Sequence, residues 1–276
     1  MNLAVVVTSY NRPDALSAVL RGYAGQSDSD FELIVADDGS TGETGALVRR
    51  FAAQAPFAVR HVWHEDDGFR AAAIRNKAVL ATTADYIVFT DGDCVPPVFF
   101  TARQRALAEA EWFVAGNRLL LSESFTRRVL ASGEPFERWR LGRWMGAWMR
   151  RDINRWLPLL RLPDGAWRKR APRRWEGIKT CNLSVWREDL IQVNGLDESY
   201  SGWGMEDSDL VVRLLRAGVR HKSARFAAPV FHLWHRENDR SHLAENRARL
   251  QEALDAVRIR ARRGLDHCAT ADVGEA

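Results

Sequence analysis

Apolar positions in the first ninety or so residues fall in short runs divided by polar turns, and the period alternates from run to run. Residues 3–8 form a β-branched stretch that stops at Ser9-Tyr10-Asn11-Arg12-Pro13, which predicts a strand and then a turn. Pro13 suits the first turn of a helix, and Ala15, Leu16, Val19 and Leu20 give that helix an apolar face. A second strand is predicted over 32–36, ending at Asp37-Asp38-Gly39-Ser40. Ser40 and Glu43 have capping-box spacing, so a helix is expected through Leu47, Val48 and Phe51. A strand over 58–63, an alanine-rich helix over 70–80 and a very apolar strand over 86–90 follow.

The pattern resumes after residue 177 with a strand over 180–186, a short helix over 187–193 and a helix over 205–217 closed by Gly218. A late strand is expected over 225–231. An amphipathic terminal helix is expected over 243–263, with Leu250, Leu254 and Val257 in its apolar line, and residues from 264 read as a flexible tail. This alternation predicts an α/β fold with a mostly parallel central sheet flanked by helices. The economical division is one domain over 1–263, whose halves 1–121 and 178–263 flank an insertion over 122–177. Ligands of such sheets bind beyond the carboxyl ends of the strands, where the acidic clusters of this sequence fall.

Length and composition narrow the classes. With 276 residues, 46% hydrophobic and 28% charged, the chain can bury a real core, which excludes wholesale disorder. No apolar run approaches the roughly 18 residues of a membrane span. Residues 1–10 read as a first strand rather than a signal peptide, and a cytoplasmic location is expected. Three scattered cysteines argue against a disulfide framework or a zinc site. The net charge of +4 is uneven: residues 138–175 hold twelve Lys/Arg against Asp152 and Asp164, a local +10, and six of the eleven tryptophans. Arginine beside tryptophan fits an anionic membrane surface first, an acceptor-cleft wall second and a nucleic acid last.

Several constellations carry chemistry. Asp91-Gly92-Asp93 ends a strand, so two carboxylates two residues apart can face one hard cation; the bland reading is a polar turn. Asp38 sits on the same edge without an evident structural duty, and Arg75-Asn76 opens toward it. Gly202-Trp203-Gly204-Met205 precedes a helix whose first turn holds Glu206, Asp207 and Asp209. That is more acid than a helix dipole requires, and one of the three is a candidate general base. His232 and His235 end the late strand, and imidazole beside carboxylate favours manganese over magnesium.

Together, Thr8-Ser9-Tyr10-Asn11-Arg12, Asp37-Asp38-Gly39-Ser40, Arg75-Asn76-Lys77 and Asp91-Gly92-Asp93 resemble the ordered motifs of family 2 glycosyltransferases, which have the GT-A (Rossmann-like) fold. Gly202-Trp203-Gly204-Met205-Glu206-Asp207 is similar to the Gly-Trp-Gly-x-Glu-Asp segment of β-1,4-galactosyltransferases and bacterial chondroitin-type polymerases. The resemblance covers 3–121 and 178–240. It implies that 1–121 binds the nucleotide-sugar through Thr8, Tyr10, Arg12, Asp38, Arg75 and Asp91, and that Trp203 lines the sugar pocket. It also implies Asp93 as the main metal ligand. The galactosyltransferases add a Met-x-x-His pair; here His232 and His235 stand at those positions, so a histidine replaces the methionine. Asp207 would be the acceptor base, with Glu206 beside it. The expected activity is metal-dependent, inverting transfer of a hexose or N-acetylhexosamine from a UDP-sugar, UDP-galactose or UDP-N-acetylgalactosamine first, to a saccharide or lipid-linked acceptor. Manganese is the favoured cofactor, with magnesium the other candidate. A peripheral position on the inner face of the cell membrane would suit such an acceptor, and no nucleic-acid partner is expected. The competing readings are a nucleotidyltransferase, disfavoured because 8–13 lacks a glycine-rich loop, and a non-catalytic binding module.

Overall fold

The computed structural model describes residues 1–236 and 239–271. β1 (Leu3–Ser9), α1 (Pro13–Ala24), β2 (Glu32–Asp37), α2 (Gly42–Ala52), β3 (Val59–Trp63), α3 (Ala71–Leu80) and β4 (Tyr86–Asp91) alternate as the apolar pattern predicts. Next come β5 (Cys94–Val95), α4 (Phe100–Leu107), β6 (Trp112–Ala115), β7 (Arg118–Leu120), α5 (Glu123–Ser132) and α6 (Leu141–Met149). The rest comprises β8 (Asn182–Trp186), α7 (Arg187–Gln192), α8 (Glu206–Arg216), β9 (Arg220–Ser223), β10 (Val230–His232), α9 (Leu243–Asp255) and α10 (Leu265–Ala271).

Seven strands form one sheet in the order β3-β2-β1-β4-β8-β6-β9. The first four run parallel, β8 is antiparallel to both β4 and β6, and β6 and β9 are again parallel. Strands buried on both faces need apolar side chains at every position, and β1, β2 and β4 supply them. Leu3, Val5 and Val7 of β1 meet Leu16, Val19 and Leu20 of α1 on one face. Ala4 and Val6 meet Ile74 and Val79 of α3 and Leu210 and Leu214 of α8 on the other. Each fully buried Val, Leu or Ile contributes about 1.5–3 kcal/mol, so the sheet centre anchors the domain. A second sheet of three short strands, β5-β10-β7, stands beside it.

Four local expectations are corrected. Ser40 does not cap α2: the cap position is Thr41, without a side-chain bond, and the Ser40 Oγ accepts from the Asn11 amide at 2.8 Å. Of the late strand expected over 225–231 only 230–231 is strand, the start of β10; 225–228 form a turn, and β9 precedes the expected range in a different sheet. β9 lies at the sheet edge and reads Arg-His-Lys-Ser, so no apolar pattern marks it. The terminal helix stops at Asp255; Val257 is exposed at a left-handed φ of 50° and leaves its apolar line. Residues from 264, expected as a tail, begin with α10, which packs on α3 and buries Leu265 and Cys268.

The basic, tryptophan-rich segment is largely exposed along its backbone but turns several of its tryptophans onto the core. Trp144 is buried and stacks on Phe231 of β10, with ring centroids 4.3 Å apart and planes 15° from parallel. Phe125, Phe136 and Trp139 close around it edge-on or tilted. Trp156 packs on the same cluster and Trp175 on the opposite face of the sheet, leaving Trp148 exposed on α6. Arg168 is buried too, donating to the carbonyls of Ser223, Arg225, Leu162 and Pro163 at 2.6–3.3 Å, which ties the segment to the end of β9. The aromatic cluster therefore braces β10 from behind. Trp144→Ala should cost about 3–5 kcal/mol of stability in urea denaturation, whereas Trp148→Ala should stay within about 0.5 kcal/mol; equal costs would show that Trp144 bears no packing load.

Candidate active site

The parallel register sets Thr8 beside Asp91 and Ser9 beside Asp37, so β1, β2 and β4 end level. Into that edge α3 sends Arg75, only 4% exposed. Its Nε donates to the Thr8 Oγ1 at 3.0 Å, its Nη2 to the Asp91 Oδ1 at 3.1 Å and its Nη1 to the Glu206 Oε1 at 3.4 Å. Burial works against the guanidinium charge, but Asp91, Glu206 and Asp207 outweigh it and raise its pKa. Asp91 is raised above the ordinary carboxylate range by burial and by the Asp93 charge, against the pull of Arg75.

A second cluster lies one residue pair further on. The Asp93 Oδ2 is 3.3 Å from the His235 Nε2 and 3.6 Å from the His232 Nε2. The Cys94 Sγ is 3.5 Å from the Asp93 Oδ1, and Asp93, Cys94 and His232 bring their donor atoms within 4.8 Å of one another. Burial holds the His232 imidazole below its usual range, against the pull of Asp93, which keeps a neutral ring nitrogen available. A carboxylate facing two imidazoles is a donor set that fits a divalent cation of the manganese type.

The third component arrives on α8. Gly202 and Gly204 have φ of 69° and 108°, and Met205, the cap position, has φ of 77°. A side chain at Gly202 would put its Cβ 2.8 Å from the His242 ring, so glycine is required there. This turn delivers Glu206 and Asp207 together, both nearly buried. Burial, then the Asp207 charge, pushes the Glu206 carboxyl up to about 7 despite Arg75. Asp207 lies 3.4 Å from the Lys179 Nζ, and its Oδ1 accepts from the Ser208 amide at 2.8 Å. Asp209 points into the core, where it pairs with Arg213 at 2.7 Å and Arg258 at 3.1 Å. Its duty is structural. Trp203 lies on the preceding turn under the Arg240 guanidinium, 5.3 Å from it.

At the β2 end, Asp38 is held by the His64 Nε2 at 2.7 Å and by the Arg70 amide at 2.9 Å. The Tyr10 hydroxyl donates to Asp66 at 2.9 Å. Gly39, at φ 91°, lets the strand end approach Asp66; a Cβ there would meet its Cα at 2.5 Å. Thr8, Arg75, Asp91 and Glu206 thus form one network, and Asp93, His232 and His235 another. The Arg12 guanidinium pairs with Asp14, two residues on, at 2.9 Å. Asn76 serves packing, bonding Leu196 and Glu198 at 2.8–2.9 Å.

Lys179, His64 and Cys94 were not foreseen. His64 and Asp66 follow the end of β3, so the strand-end rule that singles out Asp38 and Asp91 also reaches them. Lys179 has no such signal: its partner lies 28 residues away on a different element.

Residues 4–162 match the family described as Glycosyl transferase family 2, and residues 166–236 match the one described as N-terminal domain of galactosyltransferase. The chain is 29% identical over 236 residues to a validoxylamine A glucosyltransferase of Streptomyces hygroscopicus, covering 79% of this chain and 52% of that protein. It is 25% identical to a chondroitin synthase of Escherichia coli, over 82% of this chain and 34% of the relative. It thus spans about half or less of the length of these relatives. Among solved structures, the mannosyltransferase PcManGT from Pyrobaculum calidifontis in complex with GDP-Man and Mn2+ superposes with a TM-score of 0.59 at 19% identity, covering 90% of this chain and 61% of that one. S. aureus TarS 1-349 in complex with UDP gives 0.62 at 13% identity, covering 97% and 68%. These structures share the fold, and the family match over more than half of the chain places this protein in glycosyl transferase family 2.

Proposed function

We propose that the chain transfers a hexose or N-acetylhexosamine from a UDP-sugar, with inversion, to a hydroxyl of a saccharide or lipid-linked acceptor. One observation carries this reading: Arg75 joins the ends of β1 and β4 to the first turn of α8, so the nucleotide-facing edge and the Glu206–Asp207 pair share one cleft. Thr8, Tyr10, Asp38, Arg75 and Asp91 hold the nucleotide, and Trp203 lines the sugar pocket. Asp93, His232 and His235 would hold a divalent cation, manganese first and magnesium second, which when bound neutralises charge on the diphosphate. UDP-galactose or UDP-N-acetylgalactosamine is the favoured donor, in keeping with the match of 166–236 to the galactosyltransferase domain.

Asp207 takes the proton from the acceptor hydroxyl. The hydroxyl oxygen bonds to the anomeric carbon from the face opposite the nucleotide, the bond from that carbon to the diphosphate oxygen breaks, and the electron pair leaves with the nucleoside diphosphate. Lys179 orients the Asp207 carboxylate, and Glu206, held by Arg75, positions the pair. A single base opposite the leaving group suits inversion.

Three measurements check this. Asp207→Asn, nearly isosteric, should keep UDP binding by calorimetry while turnover falls by roughly 10²–10⁴-fold; unchanged turnover would move the base elsewhere. Asp93→Ala should abolish manganese-dependent UDP binding with an unaltered melting temperature, and His235→Ala should weaken manganese use more than His232→Ala. Full activity in a chelator would sink the metal assignment. The third concerns Glu206, whose folded pKa lies above its unfolded value. Its contribution to stability is full below about pH 4.5 and is lost as pH rises through about 7. Glu206→Gln mimics the protonated form, so its melting temperature should gain on the wild type steadily from about pH 5 to about pH 8. A gap independent of pH would mean that Glu206 ionises normally.

A further inference from the structure

Six of the fifteen large hydrophobic side chains exposed on the described residues lie between positions 120 and 162. Three of them, Met145, Trp148 and Met149, share one face of α6 that borders the buried Trp144 and Ala147. Their i, i+3, i+4 spacing makes a continuous stripe. Trp148 also lines a cavity of about 350 Å³ with Leu120, Leu121, Ile153 and Arg151. Leu120 is the β7 register partner of His232, so this cavity adjoins the strand that carries the histidine cluster. The surroundings are mostly basic, although Arg143 is paired with Glu134. Residues 140–161 contain six arginines, all exposed, and one acid, Asp152, which Arg128 and Arg150 already hold at 3.1 Å each.

We propose that this face seats the enzyme on an anionic lipid leaflet, with Trp148, Met145 and Met149 entering the headgroup boundary and Arg151 and Arg155 meeting lipid phosphates. Charge complementarity selects the occupant. A second copy of the chain would bring two like-charged faces together, and an uncharged apolar partner would leave the arginines unanswered. A bilayer surface takes both components at once, since tryptophan sits at the headgroup level and each arginine near an anionic surface strengthens binding about fivefold. The proposal narrows the whole 138–175 segment to this one face, because most of the segment's tryptophans and Arg168 are committed to the core. It is independent of the catalytic assignments, since its readout is binding alone.

The test is co-flotation of the full chain with vesicles of equal parts phosphatidylglycerol and phosphatidylcholine, against phosphatidylcholine alone. Wild type should float with the anionic vesicles at low ionic strength and not with the neutral ones. Arg151→Gln with Arg155→Gln should cut binding at least tenfold, an effect that added salt erases. Trp148→Glu with Met149→Glu should cut it at least tenfold at every salt concentration. Trp148→Ala with Met149→Ala serves if the acidic pair lowers the melting temperature. UDP binding should be retained in all of them. The proposal fails if wild type stays unbound at low ionic strength, if both substituted pairs float like wild type, or if a single-stranded oligonucleotide binds while vesicles do not.

Discussion

A guanidinium taken out of water must find acceptors for its donors, and Arg75 finds them on three separate elements. The Thr8 hydroxyl, the Asp91 carboxylate and the Glu206 carboxylate come from β1, β4 and α8, so one side chain sets the spacing between the strand ends and the α8 turn. The arrangement is mutually dependent. Without Arg75, Asp91, Glu206 and Asp207 would face one another as buried like charges; without them, the cation would be stranded. Even with Arg75 in place, burial and Asp207 leave Glu206 titrating near neutrality. The two carboxyl groups of the α8 turn are adjacent in sequence yet unequal in surroundings: one shares a buried cation and the other meets Lys179 at the rim.

The other end of the site depends on packing rather than charge. β10 has only three residues and holds its place through β5 and β7 on either side and the Trp144–Phe231 stack behind. Phe231 and His232 are neighbours whose side chains leave the strand on opposite faces. The ring that anchors the strand in the core therefore aims the imidazole outward at Asp93. A segment that looks in composition like an appended surface module is part of the machinery that positions this edge.

What the sequence makes legible follows from burial. β1, β2 and β4 are covered on both faces, so their residues form unbroken apolar runs, and the acids that end them stand out. Polar edge strands such as β9 leave no pattern, which is why no strand is expected over 220–223. Tryptophan content says nothing about which way a ring faces: Trp144 and Trp148 are one helical turn apart, and one is core while the other is surface. Single side chains that act across long sequence separations, such as Lys179 on Asp207 and His64 on Asp38, become visible only when the fold brings their elements together. Arg12, inside a recognisable motif, pairs with Asp14 two residues on, a contact that the motif itself does not announce.

The antiparallel insertion of β8 beside β4 has a consequence for how the protein is made. Tyr86 pairs with Trp186, so the most apolar strand of the sheet waits a hundred residues for its second neighbour. At roughly 5–20 residues per second of synthesis, that delay lasts about 5–20 seconds. Throughout it, β4 presents an open hydrogen-bonding edge, the feature that recruits foreign strands in aggregation. The segment between must also seat Trp144 against Phe231, which is synthesised later still. The sheet thus closes late and from long-range contacts, so its central edge stays open until β8 docks.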